Sequence, residues 1–558
     1  MMDGRVIGAY HQILGLFTGL PGRVWPFGQR KEAASKPPGI LKPFTQPKRR
    51  WYVPGRSWLL VFLLLLFCLI YGFAFALLAP FVLVPFAVPI VFLLLLIIWA
   101  MPDAAAPVKT LNFFFFAFFI GLFAWPNYMA ISLPGLPWIS IIRLTVFPMT
   151  LTLLYCVSVS QDFREKLRGV LNQTSPLWKT LVVFAAIQTI SIAFSKSPAT
   201  SINKYIVAQT EWTAIFFVAC FLFLKPGRAT KWAFCLWAIA IFVGAIGIWE
   251  RRLGYVPWRN HIPSIFQIDD PVVQAFLAGA QRSFTGVHRV QSVFTTSLGL
   301  SEFMALTLPF VVHFLREEFG WKVRAAAAMT IPFTLYVIIL TDSRLGIVGS
   351  LVTLMAFTFI WAWRRRREDN KNPFWTAIIA GYPIIFCAAV ASTFFVGRIR
   401  ARVWGTGSAQ FSTQSRSEQY HIGIPKILSH PWGYGIGQGG DALGFVDSSG
   451  FGTIDTYYLM IGLEYGVIGF LVYYGMILFA LYTAGKAALS PQPLKGENSL
   501  LIPISVTLLN FIVIKSVFSQ QDNHPLIFML LGMLAALLWR VRNSTQSQPG
   551  RRPMARIA

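Results

Sequence analysis

The chain contains a long succession of apolar runs close to twenty residues each, and this pattern removes most architectures from consideration. A run of that length crosses the hydrocarbon core of a bilayer as a helix, which satisfies every backbone polar group within the segment. Such runs fall at residues 57–78, 80–101, 111–132, 140–159, 178–195, 205–224, 231–249, 297–315, 325–341, 343–363, 374–397, 456–484, 501–520 and 525–541. They predict an all-α, polytopic transmembrane bundle of about fourteen spans. The 50 phenylalanines, 19 tryptophans and 17 tyrosines suit lipid-facing bulk and interfacial belts better than a single soluble core. The five cysteines, Cys68, Cys156, Cys220, Cys235 and Cys387, all lie in apolar stretches, so no loop holds the pairs that a disulfide framework or a zinc site needs.

The formal charge of +26 is spread over the segments between spans, with no folded soluble domain to display it, so a nucleic-acid partner is not expected. Residues 1–56 read as a basic, Pro-rich cytoplasmic tail containing Lys48-Arg49-Arg50. The predicted order continues with transmembrane helices over 57–249, an outer loop over 250–296 and helices over 297–397. It ends with a long outer loop over 398–453 between the eleventh and twelfth spans, helices over 454–542 and a cytoplasmic tail over 543–558. This parity puts Arg164 to Arg168, Lys225 to Lys231, Arg316 to Arg324 and the Arg364-Arg365-Arg366-Arg367 run on the cytoplasmic side, as the positive-inside rule requires. The two long loops then carry Arg251, Arg252, Arg259, Arg282, Arg289, Arg398, Arg400, Arg402 and Arg416 on the side where basic residues are scarce. An anionic ligand accounts for them, because the planar guanidinium fork suits bidentate phosphate contact. Surface charge facing lipid headgroups is the plainer alternative.

Four ordered segments resemble the O-antigen ligase and polysaccharide polymerase superfamily of bacterial envelope proteins. They are Arg289-Val290-Gln291-Ser292-Val293-Phe294; Thr341-Asp342-Ser343-Arg344-Leu345-Gly346; Arg416 to Gly439, with His430-Pro431-Trp432-Gly433-Tyr434-Gly435-Ile436-Gly437; and Asp455-Thr456-Tyr457-Tyr458-Leu459, followed by Glu464-Tyr465-Gly466. The resemblance covers roughly residues 285–485. It implies a multi-pass protein of the bacterial inner membrane with cytoplasmic termini. It implies a metal-independent glycosyltransferase without cofactor that takes a glycan from an undecaprenyl-pyrophosphate carrier and joins it to an acceptor hydroxyl on the periplasmic face. Membrane lipid, a chain-length regulator and export proteins are the partners it implies. Ligases of the family show a His where this chain has Asp455, and the departure is more similar to O-antigen and exopolysaccharide polymerases. Ligation to lipid A core is the nearest alternative, and a lipid-linked oligosaccharide flippase is the alternative from another class.

Displacing a pyrophosphate from an anomeric carbon builds negative charge on the leaving group, so fixed cations are needed more than a covalent nucleophile. Arg344, at the end of its span, and Arg289, just before another, are the expected phosphate ligands; snorkelling and loop solvation are their plainer roles. Asp455 is the candidate base for the acceptor hydroxyl, and helix N-capping is its structural alternative. Arg416, Arg402, Arg398, Glu418, Tyr458 and His288 complete the expected substrate-binding set, with solvated loop residue the plainer role of Glu418 and His288. Glu464 falls about 13 Å beyond Asp455 on the other helix face, and a buried pair with Lys515 is expected for it. Gly435-Ile436-Gly437-Gln438-Gly439-Gly440 fits GxGxxG by letter, but no strand precedes it, so a nucleotide site is excluded. Asp269-Asp270 lacks neighbours at ligand spacing, and no metal is expected.

Overall fold

The computed structural model describes residues 93–546 apart from 95, 99, 102, 133–137, 267–270, 282–287, 317, 398–407, 447–451 and 491–493. The expected span at 57–78, most of that at 80–101, the N-terminal tail, the C-terminal tail beyond Gln546, Asp269-Asp270, Arg398 and Arg402 lie outside the described residues. The chain divides into two compact units, Met1–Ile97 with Pro134–Leu136 and Ile98–Leu133 with Pro137–Ala558. Of the first, Leu93, Leu94, Leu96 and Ile97 are described, and all four are helical.

The second unit is an all-α membrane bundle. In chain order it comprises α1 (Val108–Ala124), α2 (Ile141–Val159), α3 (Gln161–Gln173), α4 (Ser175–Ser191), α5 (Pro198–Leu222) and α6 (Arg228–Leu253). A short helix α7 (Pro271–Ala278) and a hairpin of β1 (Ala280–Gln281) and β2 (His288–Arg289) follow. Next come α8 (Ser297–His313), α9 (Trp321–Leu340), α10 (Arg344–Glu368) and α11 (Pro373–Phe395). The chain then forms α12 (Ser408–Ser429), the single turn α13 (Gly439–Leu443), α14 (Tyr457–Ala488), α15 (Leu501–Lys515) and α16 (His524–Gln546). Nine helices among the described residues are long and apolar enough to cross a membrane, and three shorter apolar helices accompany them. Each expected run from 111–132 onward coincides with one of these helices.

Two helices arise from sequence that lacks a continuous apolar run. In α3, Phe163, Leu167, Val170 and Leu171 recur at helical spacing and are all buried, while Ser160 caps the start by accepting the Phe163 N–H at 3.3 Å. This gives an amphipathic helix that buries one stripe at the end of the bundle. The second is α12, which fills part of the segment expected to be a long loop. Its Arg416, Gln419, Tyr420, Gly423 and Ile427 are buried or half-buried, whereas Glu418, His421, Ile424 and Leu428 are exposed. The alternation is that of a helix lying on a surface, and its polar face concealed it from a search for apolar runs.

The centre is built from helices buried on every side. α16 buries Leu526 to Leu531 and Met533 to Leu537 completely and packs along α5. Gly532 permits the approach, since a Cβ there would lie 2.4 Å from the Phe216 carbonyl oxygen. α8 is surrounded by α9, α10 and α15, and α14 lies along α15 and α4. Between α8 and α15 the Lys515 ammonium meets the Glu302 carboxylate at 2.8 Å, both side chains being fully buried. The Lys515–Glu464 pair expected from sequence is therefore corrected. Lys515 also donates to the Gln520 carbonyl and lies over the rings of Tyr457 and Phe511, each 5.4 Å away. Glu302 faces Lys515 because α8 and α15 are direct neighbours, a relation that depth along a span does not reveal.

α14 is not one helix. Gly466 has φ 67° and ψ −172°, so the chain breaks after two turns and restarts. Only glycine fits there, because a Cβ would lie 1.8 Å from the Pro431 carbonyl oxygen and the backbone is left-handed.

Candidate functional site

One end of the bundle gathers the residues singled out from sequence. Arg289 owes its place to Glu250, a fully buried carboxylate in the last turn of α6. Glu250 accepts from the backbone N–H groups of Gln291, at 3.1 and 3.2 Å, and Ser292, at 2.6 Å, and its Oε1 lies 2.7 Å from His288 Nε2. Ser292 adopts φ 54° to complete this strap. Along the strand, His288 and Val290 are buried and Arg289 is half-buried, as alternation requires. Val290 fits beside Gly247, and its N–H donates to the Leu340 carbonyl at 3.3 Å. Arg289 Nε then donates to the Thr341 carbonyl at 3.1 Å. His288 is thus neither a solvated loop residue nor open to a substrate: it is sealed against Glu250.

The same Thr341 ends α9, Asp342 turns the chain with φ 52°, and Ser343 caps α10 by accepting the Gly346 N–H at 3.4 Å. Arg344 is consequently the first residue of α10, exposed, with no acidic residue in that turn. A cation at a helix N-terminus opposes the macrodipole at a cost of about 0.3–1 kcal/mol. Helix stability therefore does not account for it. The guanidinium and the positive helix end instead add to one field that attracts an anion. Arg289, hydrogen-bonded to the carbonyl three residues before Arg344, brings a second guanidinium to this turn.

Asp455 stands just ahead of α14. Thr456, not Asp455, caps that helix, accepting the Leu459 N–H at 3.3 Å, so the capping role expected as an alternative for Asp455 belongs to its neighbour. Asp455 Oδ2 lies 3.8 Å from Arg416 Nε, with each side chain about one-third exposed (33% and 32%). Its backbone N–H donates at 2.8 Å to Oε1 of Gln419, a fully buried side chain one helical turn beyond Arg416. Glu418 is exposed on the opposite face of α12. The Tyr458 hydroxyl donates at 2.6 Å to the Ile512 carbonyl, so it ties α14 to α15. α15 links the two groupings: beyond Ile512, its Ile514 and the following Phe518 pack with Leu345, next to Arg344.

Several polar residues at this end escaped the sequence reading. Asp522 accepts the Thr295 hydroxyl at 2.9 Å beside the first turn of α8. Burial pushes its carboxyl above the ordinary value of 3.8, against the Thr295 hydrogen bond and the attraction of Lys515 and Lys204. An acid whose folded pKa is raised holds its proton longer when folded, so stability falls as pH climbs through the ordinary value and is level above the raised one. Asp522→Asn is therefore expected to raise the melting temperature at neutral pH and to give no gain below about pH 3.5. Equal shifts at both pH values would refute this account. Glu211 lies in a π-helical stretch of α5, Gln209–Ala214, in electrostatic reach of Arg143, Lys204 and Asp522. The signal that was available was the presence of Glu211 and Glu302 inside apolar runs, where an ionisable group needs a partner.

Fold and site define a multi-pass helical membrane protein with a basic turn and a paired carboxylate at one end of its bundle. Residues 329–474 match the family model described as O-Antigen ligase. Over that segment the chain is similar to the O-antigen ligase and polymerase superfamily, an enzyme family of ligase and polymerase type. The match takes in Arg344, Arg416, Asp455 and Glu464 and leaves Arg289 outside. A comparison with curated proteins returned no match.

Proposed function

We propose that this protein is an O-antigen or exopolysaccharide polymerase, transferring glycan from an undecaprenyl-pyrophosphate-linked donor to an acceptor sugar hydroxyl on the periplasmic face of the bacterial inner membrane. The observation that carries the reading is the convergence of Arg289 on the Thr341–Arg344 turn, which sets two guanidinium groups at the start of a helix whose dipole also favours a diphosphate. The acceptor oxygen forms a bond to the anomeric carbon, the bond from that carbon to the phosphate oxygen breaks, and undecaprenyl pyrophosphate departs with the electron pair. Asp455 takes the acceptor proton. Its contact with Arg416 at 3.8 Å, in a partly exposed setting, is weak enough to be exchanged for a substrate group. Arg416 adds a further cation beside Asp455 for the glycan carrier, the sequence offers Arg398 and Arg402 for the same role, and both chain termini face the cytoplasm.

The two ends differ in a way that supports this sidedness. The end opposite Arg344 carries Arg364 to Arg367, Arg316, Arg324 and Lys225, the distribution expected for a cytoplasmic face. Ligation to lipid A core is a second reading, favoured by the description of the matching family model. Purified protein in liposomes, given lipid-linked repeat units and no nucleotide, separates the outcomes. Longer glycans on the carrier support polymerisation, and transfer to added lipid A core supports ligation. Movement of the donor between leaflets with no new glycosidic bond overturns the proposal in favour of a flippase.

A further inference from the structure

The glycine-rich segment 433–440 and Glu464 form one lock. Glu464 sits in the last turn of the short first part of α14, is 2% exposed, and lies two residues before the break at Gly466. Its carboxylate accepts from the backbone N–H groups of Gly437 and Gly439. Its own carbonyl accepts the Gly435 N–H at 3.1 Å, and the Leu463 carbonyl accepts that of Tyr434 at 2.8 Å. The glycines are required by this approach: Gly433, Gly435 and Gly437 have φ of 79°, 105° and 78°, and a Cβ on Gly433 would lie 2.4 Å from the Glu464 carbonyl oxygen. The loop is held on its far side as well, where the Ile436 carbonyl accepts the Ser201 hydroxyl at 2.6 Å and its N–H donates to Ser191 Oγ at 3.2 Å.

The lock continues toward Asp455 as a row of contacts between α12 and the first two turns of α14. Gly423 lies against Leu459 and Gly462 against Ile427, each close enough that a Cβ would lie within 2.6 Å of the opposing side chain. Arg416 and Gln419 reach Asp455 at the far end of the row. The residues 455, 459 and 462, at the start of α14 and just ahead of it, follow helical spacing, and their partners ascend α12 in the same order before the chain enters the glycine segment that meets Glu464. Glu464 is therefore at one end of a two-helix unit and Asp455 at the other. The unit is short, and its backbone is cut from the rest of α14 at Gly466.

We propose that Glu464 is a positioning residue: by holding the glycine segment it fixes α12 on α14 and so sets where Asp455 and Arg416 stand. This rests on the reading of Asp455 as the acceptor base, and it explains why the glycine segment and the Glu-Tyr-Gly segment occur together in one chain. Two measurements on the full-length protein in nanodiscs test it. In hydrogen exchange, Glu464→Ala raises the exchange of amides in 433–440 and in α12 at least tenfold and leaves α16 unchanged, while Glu464→Gln, which keeps one acceptor oxygen, recovers part of the protection. In transfer assays the loss from Glu464→Ala and the loss from Asp455→Asn combine to less than their product, because the first acts through the second. Unchanged exchange over 408–440 overturns the lock whatever the protein catalyses. Rate losses that multiply fully, with exchange altered as expected, overturn the positioning role. If the wild-type protein transfers no glycan, the reaction assigned above fails and the exchange result still decides the lock.

Discussion

Arg344→Ala is expected to slow glycan transfer by about 100- to 1,000-fold, the usual loss when one fixed donor to a developing oxyanion is removed. Folding should survive the change, since the side chain is exposed and its charge opposes the helix dipole. A melting temperature that is unchanged or slightly raised, together with a collapsed turnover, separates a role in phosphate recognition from one in structure. Arg344→Lys keeps the charge and loses the planar fork, so it should recover only part of the rate. Arg289→Ala should behave similarly, with some added loss of stability because Arg289 Nε is bonded to the Thr341 carbonyl. Full activity in Arg344→Ala, measured as glycan length over time in liposomes, would remove the basis for placing the diphosphate at this turn.

The second large effect concerns stability. Lys515→Met should destabilise the protein by about 3–5 kcal/mol, because it strands a buried Glu302 carboxylate between α8 and α15. Glu302→Leu should cost a similar amount by stranding the ammonium. Combined, Glu302→Leu and Lys515→Met leave no uncompensated charge, and stability should return to within about 1–2 kcal/mol of wild type. Thermal unfolding in detergent distinguishes these variants. A double variant no more stable than either single one would mean that the pair is not what the two charges contribute. The same series bears on the correction made above, since Glu464→Gln should not respond to the loss of Lys515.

The bundle itself was legible because bilayer thickness imposes a length on every span, and the runs from 111–132 to 525–541 each became a helix. Residues whose placement depends on which spans are neighbours were not legible in the same way. Glu464 and Lys515 suited one another in depth, yet α8 supplies the partner, Glu302. The basic turn was legible in part: Arg344 could be placed at a span end from composition, but its convergence with Arg289 depends on Glu250 holding a two-residue strand. Glu250 follows the apolar run at 231–249, and nothing in its local sequence marks the strap it holds. α12 was hidden for a different reason, since a helix lying on the bundle needs only one stripe of contacts, and Arg416, Gln419 and Gly423 form that stripe without being apolar. The positive φ values and backbone contacts of the glycine segment follow from the proximity of Glu464 and Gly466, which no local pattern encodes.

The break at Gly466 has a further consequence for how a carboxylate survives beside hydrocarbon. The part of α14 beyond it, running to Ala488, is about 33 Å long at the helical rise, enough to traverse an apolar slab unaided. The preceding two turns are thereby released from that duty and can lie in the headgroup zone, where water reaches Asp455 and a proton has somewhere to go. An unbroken rod of the same length would have to choose between drowning its charged tip in lipid and leaving part of its greasy flank wet.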